Sequence, residues 1–292
     1  MKIIYIAGDG RSGSTLLDSI LSNIDGSLSV GECHRFWIRF YEGETRCACG
    51  KMITDCELWS DVDKQLRQRF DDYAPEQFKK RVQEIQQYRN FKKIPVIVVS
   101  EAWQSFCEQV KAFYEIIASH TKNGVVIDSS KSVSWAYFLE QLAFSELYII
   151  HLERNLPSVA NSWRKQIVLP EYTSKEVYMP VKSIVLSTKS WLKIKVMAKR
   201  LKRADHYLFV SYEKLCAQPD LWLQKIKAFV QEDFDLSQLH MLPTHAIGGN
   251  PMRAKGDDSI KIIPQKDRFK NLNAFQLVFL KLVNGFAKTF LS

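Results

Sequence analysis

Residues 2–24 read KIIYIAGDGRSGSTLLDSILSNI, and the expected architecture follows from this stretch. Residues 2–8 contain an apolar run, Ile3 to Ala7, that predicts a strand, and the glycines from Gly8 onwards predict a tight loop. From residue 14 onwards, apolar residues recur at helical spacing: Leu16, Leu17, Ile20, Leu21 and Ile24. A strand, a glycine loop and a helix start in this order would aim several backbone N–H groups at one point, where an anion binds.

The rest of the chain alternates short apolar runs with longer amphipathic ones. The further predicted strands are residues 27–32, 124–128, 146–154 and 206–212. Short buried strands separated by helices predict an α/β fold of three layers, with a central parallel sheet and helices on both faces. We expect one domain over residues 1–292, with a helical, lid-like insertion at about residues 34–120 and a single helix at 96–120.

The composition of the chain limits its partners and its location. The 292 residues carry a net charge of +9, which favours an anionic partner (nucleic acid, a membrane surface or a polyanionic small molecule), although a merely basic surface is equally compatible. The apolar run near the N-terminus is too short for a signal peptide, and no run is long enough for a transmembrane segment, so a cytoplasmic protein is predicted. Residues 272–292 predict a docked helix, with a homodimer face or peripheral membrane contact as alternatives.

Charged and hydroxyl residues follow the predicted strands at the points where the strands end. They are residues 11–15, Glu32, residues 128–131 and Arg154. Because ligands of parallel α/β sheets bind beyond the carboxyl ends of the strands, we expect these residues to converge on one site.

Residues 8–15, GDGRSGST, fit seven of the eight places of the phosphate-binding pattern G-x-x-x-x-G-K-[ST]. Ser14 stands where the pattern has lysine, and Arg11 supplies a cation inside the loop instead. Hydrolysis of ATP or GTP requires that lysine, together with Mg²⁺ held by an acid. Asp128 could imitate such an acid, so a nucleotide kinase or NTPase with a degenerate loop remains the alternative, beside a noncatalytic binder of nucleotide or polyanion.

A strand followed by R-S-G-S-T-L-L (11–17) and a helix resembles the 5′-phosphosulfate loop of sulfotransferases that use 3′-phosphoadenosine 5′-phosphosulfate (PAPS). These enzymes bind the 3′-phosphate through an Arg at a strand end and a Ser eight residues later, which Arg154 and Ser162 match. Other segments are similar to bacterial members of the family: VVIDSSK (125–131), CACGKMITDCELW (47–59), FVSYEKLCAQP (209–219) and HAIGGNPMRAKG (245–256).

This resemblance implies a P-loop-type fold with about five parallel strands and transfer of a sulfuryl group from PAPS, which leaves as PAP, with no metal required. The residues assigned to the cofactor are Arg11, Ser12, Gly13, Ser14, Thr15, Leu16, Arg154, Ser162, Tyr212, Arg253 and Lys255. Arg253 and Lys255 would close over the 3′-phosphate, and Tyr212 either packs near the adenine or belongs to the core.

The catalytic assignment rests on a resemblance to tyrosyl-protein sulfotransferases, which have similar R-S-G-T-T and G-E segments. It makes Arg11 the group that stabilises the transferring sulfuryl and Glu32 the base, although an ion-paired Glu32 is the alternative. Lys131 would stabilise the leaving group, and Asp128 would orient Lys131 or the acceptor. The small-molecule sulfotransferases of the cytosol use a His base after the third strand, where this chain has D-S-S-K, and His34 is the reserve candidate.

The acceptor has no readable motif, and its specificity is expected to lie in residues 34–120 and 167–180. We expect a hydroxyl or amine of a small molecule or carbohydrate rather than a nucleic acid. A bacterial natural product such as a saxitoxin-type alkaloid is one option.

Three of the six cysteines are close together in the sequence. Cys47, Cys49 and Cys56 would form a zinc site with Cys33 or His34, but C-x-C is not the usual C-x2-C knuckle and no second pair follows. A cytosolic protein is not expected to contain disulfides. We therefore predict neither a metal site nor a disulfide.

Overall fold

The computed structural model describes residues 1–242, 244–248, 259–263 and 269–291. The strands are β1 Lys2–Gly8, β2 Leu28–Gly31, β3 Val125–Lys131, β4 Leu147–Glu153 and β5 Tyr207–Ser211. They form one sheet in the order β2-β3-β1-β4-β5, and every neighbouring pair is parallel. The predicted α/β fold with a five-stranded parallel sheet is therefore confirmed.

Helices lie between the strands along the chain. They are α1 Ser14–Leu21, α2 Phe36–Glu42, α3 Glu57–Arg69, α4 Pro75–Gln86, α5 Ile94–Val98, α6 Glu101–Ser119, α7 Val133–Gln141, α8 Leu156–Trp163, α9 Ile184–Leu201, α10 Tyr212–Ala217, α11 Pro219–Val230 and α12 Ala274–Phe290. The prediction of a single helix at 96–120 is wrong, because Ser100 is extended and separates α5 from α6. β3 also runs three residues beyond the predicted Asp128, because it stays paired with β1 up to Lys131.

The two faces of the sheet carry separate hydrophobic clusters. Along β1, Ile3 and Tyr5 face the cluster formed with the insertion helices, α7 and α9, whereas Ile4 and Ile6 face the cluster with α1 and α11. Side chains of a strand alternate between the faces of a sheet, so an unbroken apolar run supplies both clusters.

Residues 34–120, the predicted insertion, pack on the first of these faces through aromatic side chains. Trp37 stacks on Phe78 with ring centroids 3.7 Å apart, and Trp59 and Phe113 are buried in the same cluster. Because these residues share the cluster with β1 and β3, the segment is held against one face of the sheet.

The C-terminal helix α12 begins with a capping box formed by Asn273 and Gln276. Leu280 and Ala287 are buried in a small cluster with α8 and α9, while outer residues such as Phe275 and Leu282 are exposed. None of the helices among the described residues combines the length and the apolar character needed to cross a membrane. The homodimer or membrane contact of this helix stays a prediction.

Candidate active site

The glycine loop between β1 and α1 is shaped by aromatic rings that come from other parts of the chain. A Cβ on Gly13 would lie 2.2 Å from Tyr212 Cε2, and a Cβ on Gly10 would lie 2.4 Å from Trp163 Cζ2. Gly13 also has a φ of 97° at the start of α1. Gly13 is therefore required by its backbone conformation and by the close approach of Tyr212, and Gly10 by the close approach of Trp163.

Arg11 lies in this loop with donors that have no partner among the described residues. Its Nε and Nη2 atoms are buried without a hydrogen bond, and so are Ser12 Oγ and Trp163 Nε1. The guanidinium lies 5.1 Å from the ring centroid of Trp163, and burial lowers the pKa of Arg11. Buried donors are nearly always paired in native proteins, so this group of donors fits an anionic ligand.

A second basic site lies beside the loop, at the end of β4. Arg154 Nη1 donates to the carbonyl oxygen of Arg11 at 3.0 Å, and its guanidinium lies 4.8 Å from the ring centroid of Tyr212. Asn155 caps α8 by accepting from Ser158 N at 2.9 Å. The next turns of α8 bring Ser162 to the same cavity as Arg154, which puts a guanidinium, a helix start and a hydroxyl together.

Glu32, directly after β2, is held by two cations. Lys131 Nζ donates to Glu32 Oε1, and Arg35 Nε lies 2.9 Å from Glu32 Oε2. Burial alone raises the pKa of Glu32, but the charges of Lys131 and Arg35 outweigh it and lower the pKa to about 2. Glu32 is therefore an ionised, ion-paired carboxylate in the free protein.

Arg11 and Lys131 share an unusual backbone conformation. Their φ angles are 70° and 67°, in the left-handed region that is costly for residues with a Cβ. Such strain persists where the surroundings impose it and is concentrated at functional sites. Lys131 ends β3, Arg11 lies in the loop after β1, and both side chains line the same cavity.

Two further titratable groups line the cavity, His34 and Asp9. Burial, followed by the charge of Arg35, lowers the pKa of His34 to about 3, so this ring is neutral at physiological pH. Burial raises the pKa of Asp9 to about 6, against the opposing charge of Lys182. Asp9 is therefore still mostly ionised at pH 7, although it takes up a proton more readily than an ordinary carboxyl.

Asp128 is not among the residues that line the cavity, and its assignment as a catalytic group stays a prediction. Its Oδ2 accepts from Tyr114 Oη at 2.6 Å and from Cys33 Sγ at 3.1 Å, and its Oδ1 accepts from Ser130 N at 2.8 Å. The carboxyl is completely buried, and burial raises its pKa. These hydrogen bonds tie Asp128 to the end of β3 and to the core around Tyr114.

The cavity enclosed by these elements has a volume of about 830 Å³. Cations outnumber carboxylates among its described lining: Arg11, Arg35, Arg39, Lys131, Arg154, Lys165, Lys182, Lys193 and Lys261 against Asp9, Glu32 and Glu171. The predicted residues that line it are Arg11, Gly13, Ser14, Thr15, Leu16, Glu32, Lys131, Arg154, Ser162 and Tyr212. Ser12 is buried behind the loop surface, and Arg253 and Lys255 lie outside the described residues.

Residues 4–235 match the family model described as "Sulfotransferase family". The chain belongs to the sulfotransferase family. No curated protein sequence matches it.

Solved structures of other sulfotransferases are similar to this sulfotransferase. A sulfotransferase domain from the curacin biosynthetic pathway is 17% identical over 96% of each chain, with a TM-score of 0.51. A sulfotransferase domain from the Synechococcus PCC 7002 olefin synthase is 20% identical over 98% of this chain and 94% of that chain, with a TM-score of 0.49. Mouse sulfotransferase SULT7A1 complexed with PAP is 12% identical over 98% and 84% of the two chains, with a TM-score of 0.47.

The nucleotide kinase or NTPase alternative is not supported in this sulfotransferase. Ser14 replaces the lysine that phosphoryl transfer needs in such a loop. Asp128, the acid that would hold Mg²⁺, has both oxygens occupied by hydrogen bonds inside the core. The enzyme therefore transfers a sulfuryl group rather than a phosphoryl group.

Three residues of the sulfotransferase site were not identified from the sequence. Arg35, three residues after Glu32, was detectable as a helical-spacing partner for a carboxylate. Lys182, whose Nζ lies 3.7 Å from the ring centroid of Trp163, and Asp9 carried no motif signal. Lys182 comes from the segment before α9, so only the folded chain brings it to the loop.

Proposed function

We propose that this sulfotransferase moves a sulfuryl group from PAPS to a hydroxyl or amine of a small-molecule or carbohydrate acceptor. The observation that carries the proposal is the pairing of two anion sites in one cavity. One is the glycine loop with the unpartnered donors of Arg11, and the other is Arg154 with Ser162. An adenosine bisphosphate leaving group presents two separate anionic ends, and ATP presents one polyphosphate chain.

The glycine loop would hold the 5′-phosphosulfate. The start of α1 directs backbone N–H groups and the hydroxyls of Ser14 and Thr15 towards the cavity. The buried guanidinium of Arg11 would bind the sulfonate and stabilise the negative charge that develops on it during transfer. PAPS supplies the sulfuryl group and leaves as PAP.

The end of β4 and the start of α8 would hold the 3′-phosphate. Arg154 is oriented by its bond to the loop backbone and by the ring of Tyr212, so the two anion sites are fixed relative to each other. Ser162 adds a hydroxyl from the same wall of the cavity. Arg253 and Lys255 are proposed to complete this site on the grounds of the sequence resemblance.

Glu32 would act as the base once Lys131 changes partner. While Lys131 and Arg35 hold the carboxylate, a pKa of about 2 makes it a poor proton acceptor. In our proposal Lys131 moves its ammonium to the sulfonate or the bridging oxygen when the cofactor binds. Loss of that cation raises the pKa of a buried carboxylate, so Glu32 becomes basic only in the loaded enzyme.

The acceptor would enter from the insertion side of the cavity. There the lining combines apolar side chains such as Ile167, Leu169 and Met179 with the carboxylate of Glu171. Burial raises the pKa of Glu171, and this half-buried acid supports an acceptor that carries a donor or a cation, such as a saxitoxin-type alkaloid. A cytoplasmic location is proposed on the grounds of the sequence.

Thermal stability in the presence of ligand tests the cofactor. We expect adenosine 3′,5′-bisphosphate to raise the melting temperature and ATP·Mg²⁺ to raise it less. Stabilisation by ATP·Mg²⁺ alone would refute the proposal.

An acceptor screen tests the reaction itself. Candidate hydroxyl and amine compounds, including cationic alkaloids, are incubated with PAPS and followed by mass spectrometry for the gain of one sulfuryl. We expect a product to form with wild type and to be lost in Glu32→Ala, which should still bind the bisphosphate. Unchanged turnover in that variant would remove Glu32 as the base.

A further inference from the structure

Three cysteines of the insertion and one histidine from the late part of the chain lie together, away from the cavity. One ligand atom from each of Cys47, Cys49, Cys56 and His245 lies within 4.8 Å of the other three. Cys47 and Cys56 are buried and the other two are half-buried. The fourth member is His245, and the Cys33 expected from the sequence instead donates to Asp128.

Four of the six separations between ligand atoms are close to the edges of a tetrahedron around a zinc ion, and all six are within 4.8 Å. Cys56 Sγ lies 3.6 Å from Cys47 Sγ, 3.8 Å from Cys49 Sγ and 3.1 Å from His245 Nδ1, and Cys47 Sγ lies 3.9 Å from the same nitrogen. With Zn–S bonds of about 2.3 Å, neighbouring sulfurs of a tetrahedral site lie about 3.8 Å apart. A disulfide would need sulfurs about 2.05 Å apart.

The backbone around the three thiols is built as a small ligand-presenting turn. Arg46 pairs with Met52, Cys47 N donates to Lys51 O at 2.9 Å, and Gly50 N donates to Cys47 O at 2.9 Å. Gly50 has a φ of 88°, which favours glycine. This tight hairpin points Cys47 and Cys49 to the same side, where Cys56 precedes the first turn of α3.

We propose that Cys47, Cys49, Cys56 and His245 bind one Zn²⁺ in a closed, structural Cys₃His site. Three thiolates and one imidazole nitrogen complete four-coordinate zinc and leave no position for a substrate, which is the pattern of structural rather than catalytic zinc. On binding, each thiol gives its proton to solvent and forms one Zn–S bond. The metal changes no oxidation state.

The proposed zinc would link the insertion to the segment around His245, which lies next to Glu32, the proposed base. Ile247, two residues after His245, donates to Val30 O at 3.0 Å and accepts from Glu32 N at 2.8 Å. Trp59 Nε1 donates to His245 O at 2.9 Å, so this segment is bound on both sides. A zinc at His245 would therefore stabilise the backbone position of Glu32 without contacting the reacting atoms.

Metal content is the direct test. We expect wild type, expressed with zinc and purified without chelator, to contain one zinc per chain by inductively coupled plasma mass spectrometry. Cys49→Ser, chosen because Cys49 is only half-buried, and His245→Ala should lose most of it. The control Cys107→Ser removes a buried thiol outside the group and should keep the full zinc content.

A second pair of measurements keeps the proposal testable if a variant folds poorly. Co²⁺ bound to the metal-free wild type should show thiolate-to-cobalt charge transfer and the intense visible bands of tetrahedral cobalt. A chelator should lower the melting temperature of wild type and Cys107→Ser but not that of Cys49→Ser. Zinc-free wild type that shows no stabilisation by Zn²⁺, or a mass two hydrogens lower from a Cys47–Cys56 disulfide, would overturn the site whatever the enzyme's activity.

Discussion

Replacing Glu32 with a neutral residue should make the free energy of unfolding less dependent on pH below neutrality. The size of the effect follows from the pKa of Glu32. The folded value of about 2 lies below the ordinary value of 4.5, and the side chain is only 9% exposed. A difference of about 2.5 in pKa corresponds to about 3 kcal/mol of stability. Because the folded pKa is depressed, this contribution is complete above about pH 4.5 and is lost as the pH falls towards 2.

The assay is urea unfolding of wild type and Glu32→Gln at pH 7, 4 and 3. Between pH 7 and pH 4, wild type should lose about 1 kcal/mol more of its free energy of unfolding than the neutral variant loses. Between pH 7 and pH 3, the difference should be about 2 kcal/mol. The variant also leaves Lys131 without its carboxylate, which lowers stability by a similar amount at every pH and cancels in the comparison.

A matched control is Glu42→Gln, which removes another carboxylate paired with an arginine three residues away, at 3.5 Å from Arg39. Its side chain is 44% exposed, so we expect the pH dependence of wild type. If Glu32→Gln and wild type lose stability in parallel between pH 7 and 3, Glu32 is not held as a low-pKa carboxylate. The proposed exchange of Lys131 would then have no basis.

Three further outcomes are expected. Arg11→Ala should weaken adenosine 3′,5′-bisphosphate binding by about 10- to 100-fold in calorimetry, since a charge-assisted bond is worth about 1.5–3 kcal/mol; unchanged affinity would exclude Arg11 as the loop cation. Lys131→Met should raise the pKa of Glu32, because one of the two cations that oppose the effect of burial is removed. The acid limb of the kcat/KM profile should therefore move to higher pH, and kcat should fall about 100-fold. An acid limb that stays at the same pH would show that another group titrates. Asn155→Ala removes the hydrogen-bond acceptor for Ser158 N. It should lower the free energy of unfolding, measured with urea, by about 1 kcal/mol and weaken bisphosphate binding. No change in either quantity would mean that the cap does not position α8.

The features that depend on residues close together in the sequence were predictable from the sequence. The alternation of apolar runs and amphipathic stretches led to the five-stranded parallel sheet, and Asn155 and Pro157 marked the start of α8. The spacing of Arg154 and Ser162, set by one strand end and one helix, also places both residues in the cavity. These features repeat at strand or helix periods, so a linear pattern contains them.

The direction of side chains on buried strands was not predictable in the same way. β3 is apolar on both faces, so nothing in VVIDSSK shows that Asp128 points into the core towards Tyr114 while Lys131 reaches Glu32. The left-handed conformation of Lys131 also carries no signal, because the residue is not a glycine. Both depend on the register between β3 and β1.

Local sequence was sufficient to establish a strand, a glycine loop, a helix start and a cation at Arg11, because each depends on residues a few positions apart. The partners of that loop depend on folding: Trp163 and Tyr212 press on its glycines, and Lys131 meets Glu32 from 99 positions away. His245 joins the three thiols in the same way, 189 positions after Cys56. Such contacts form because burying the sheet brings distant strand ends to one edge, and that edge exists only in the folded chain.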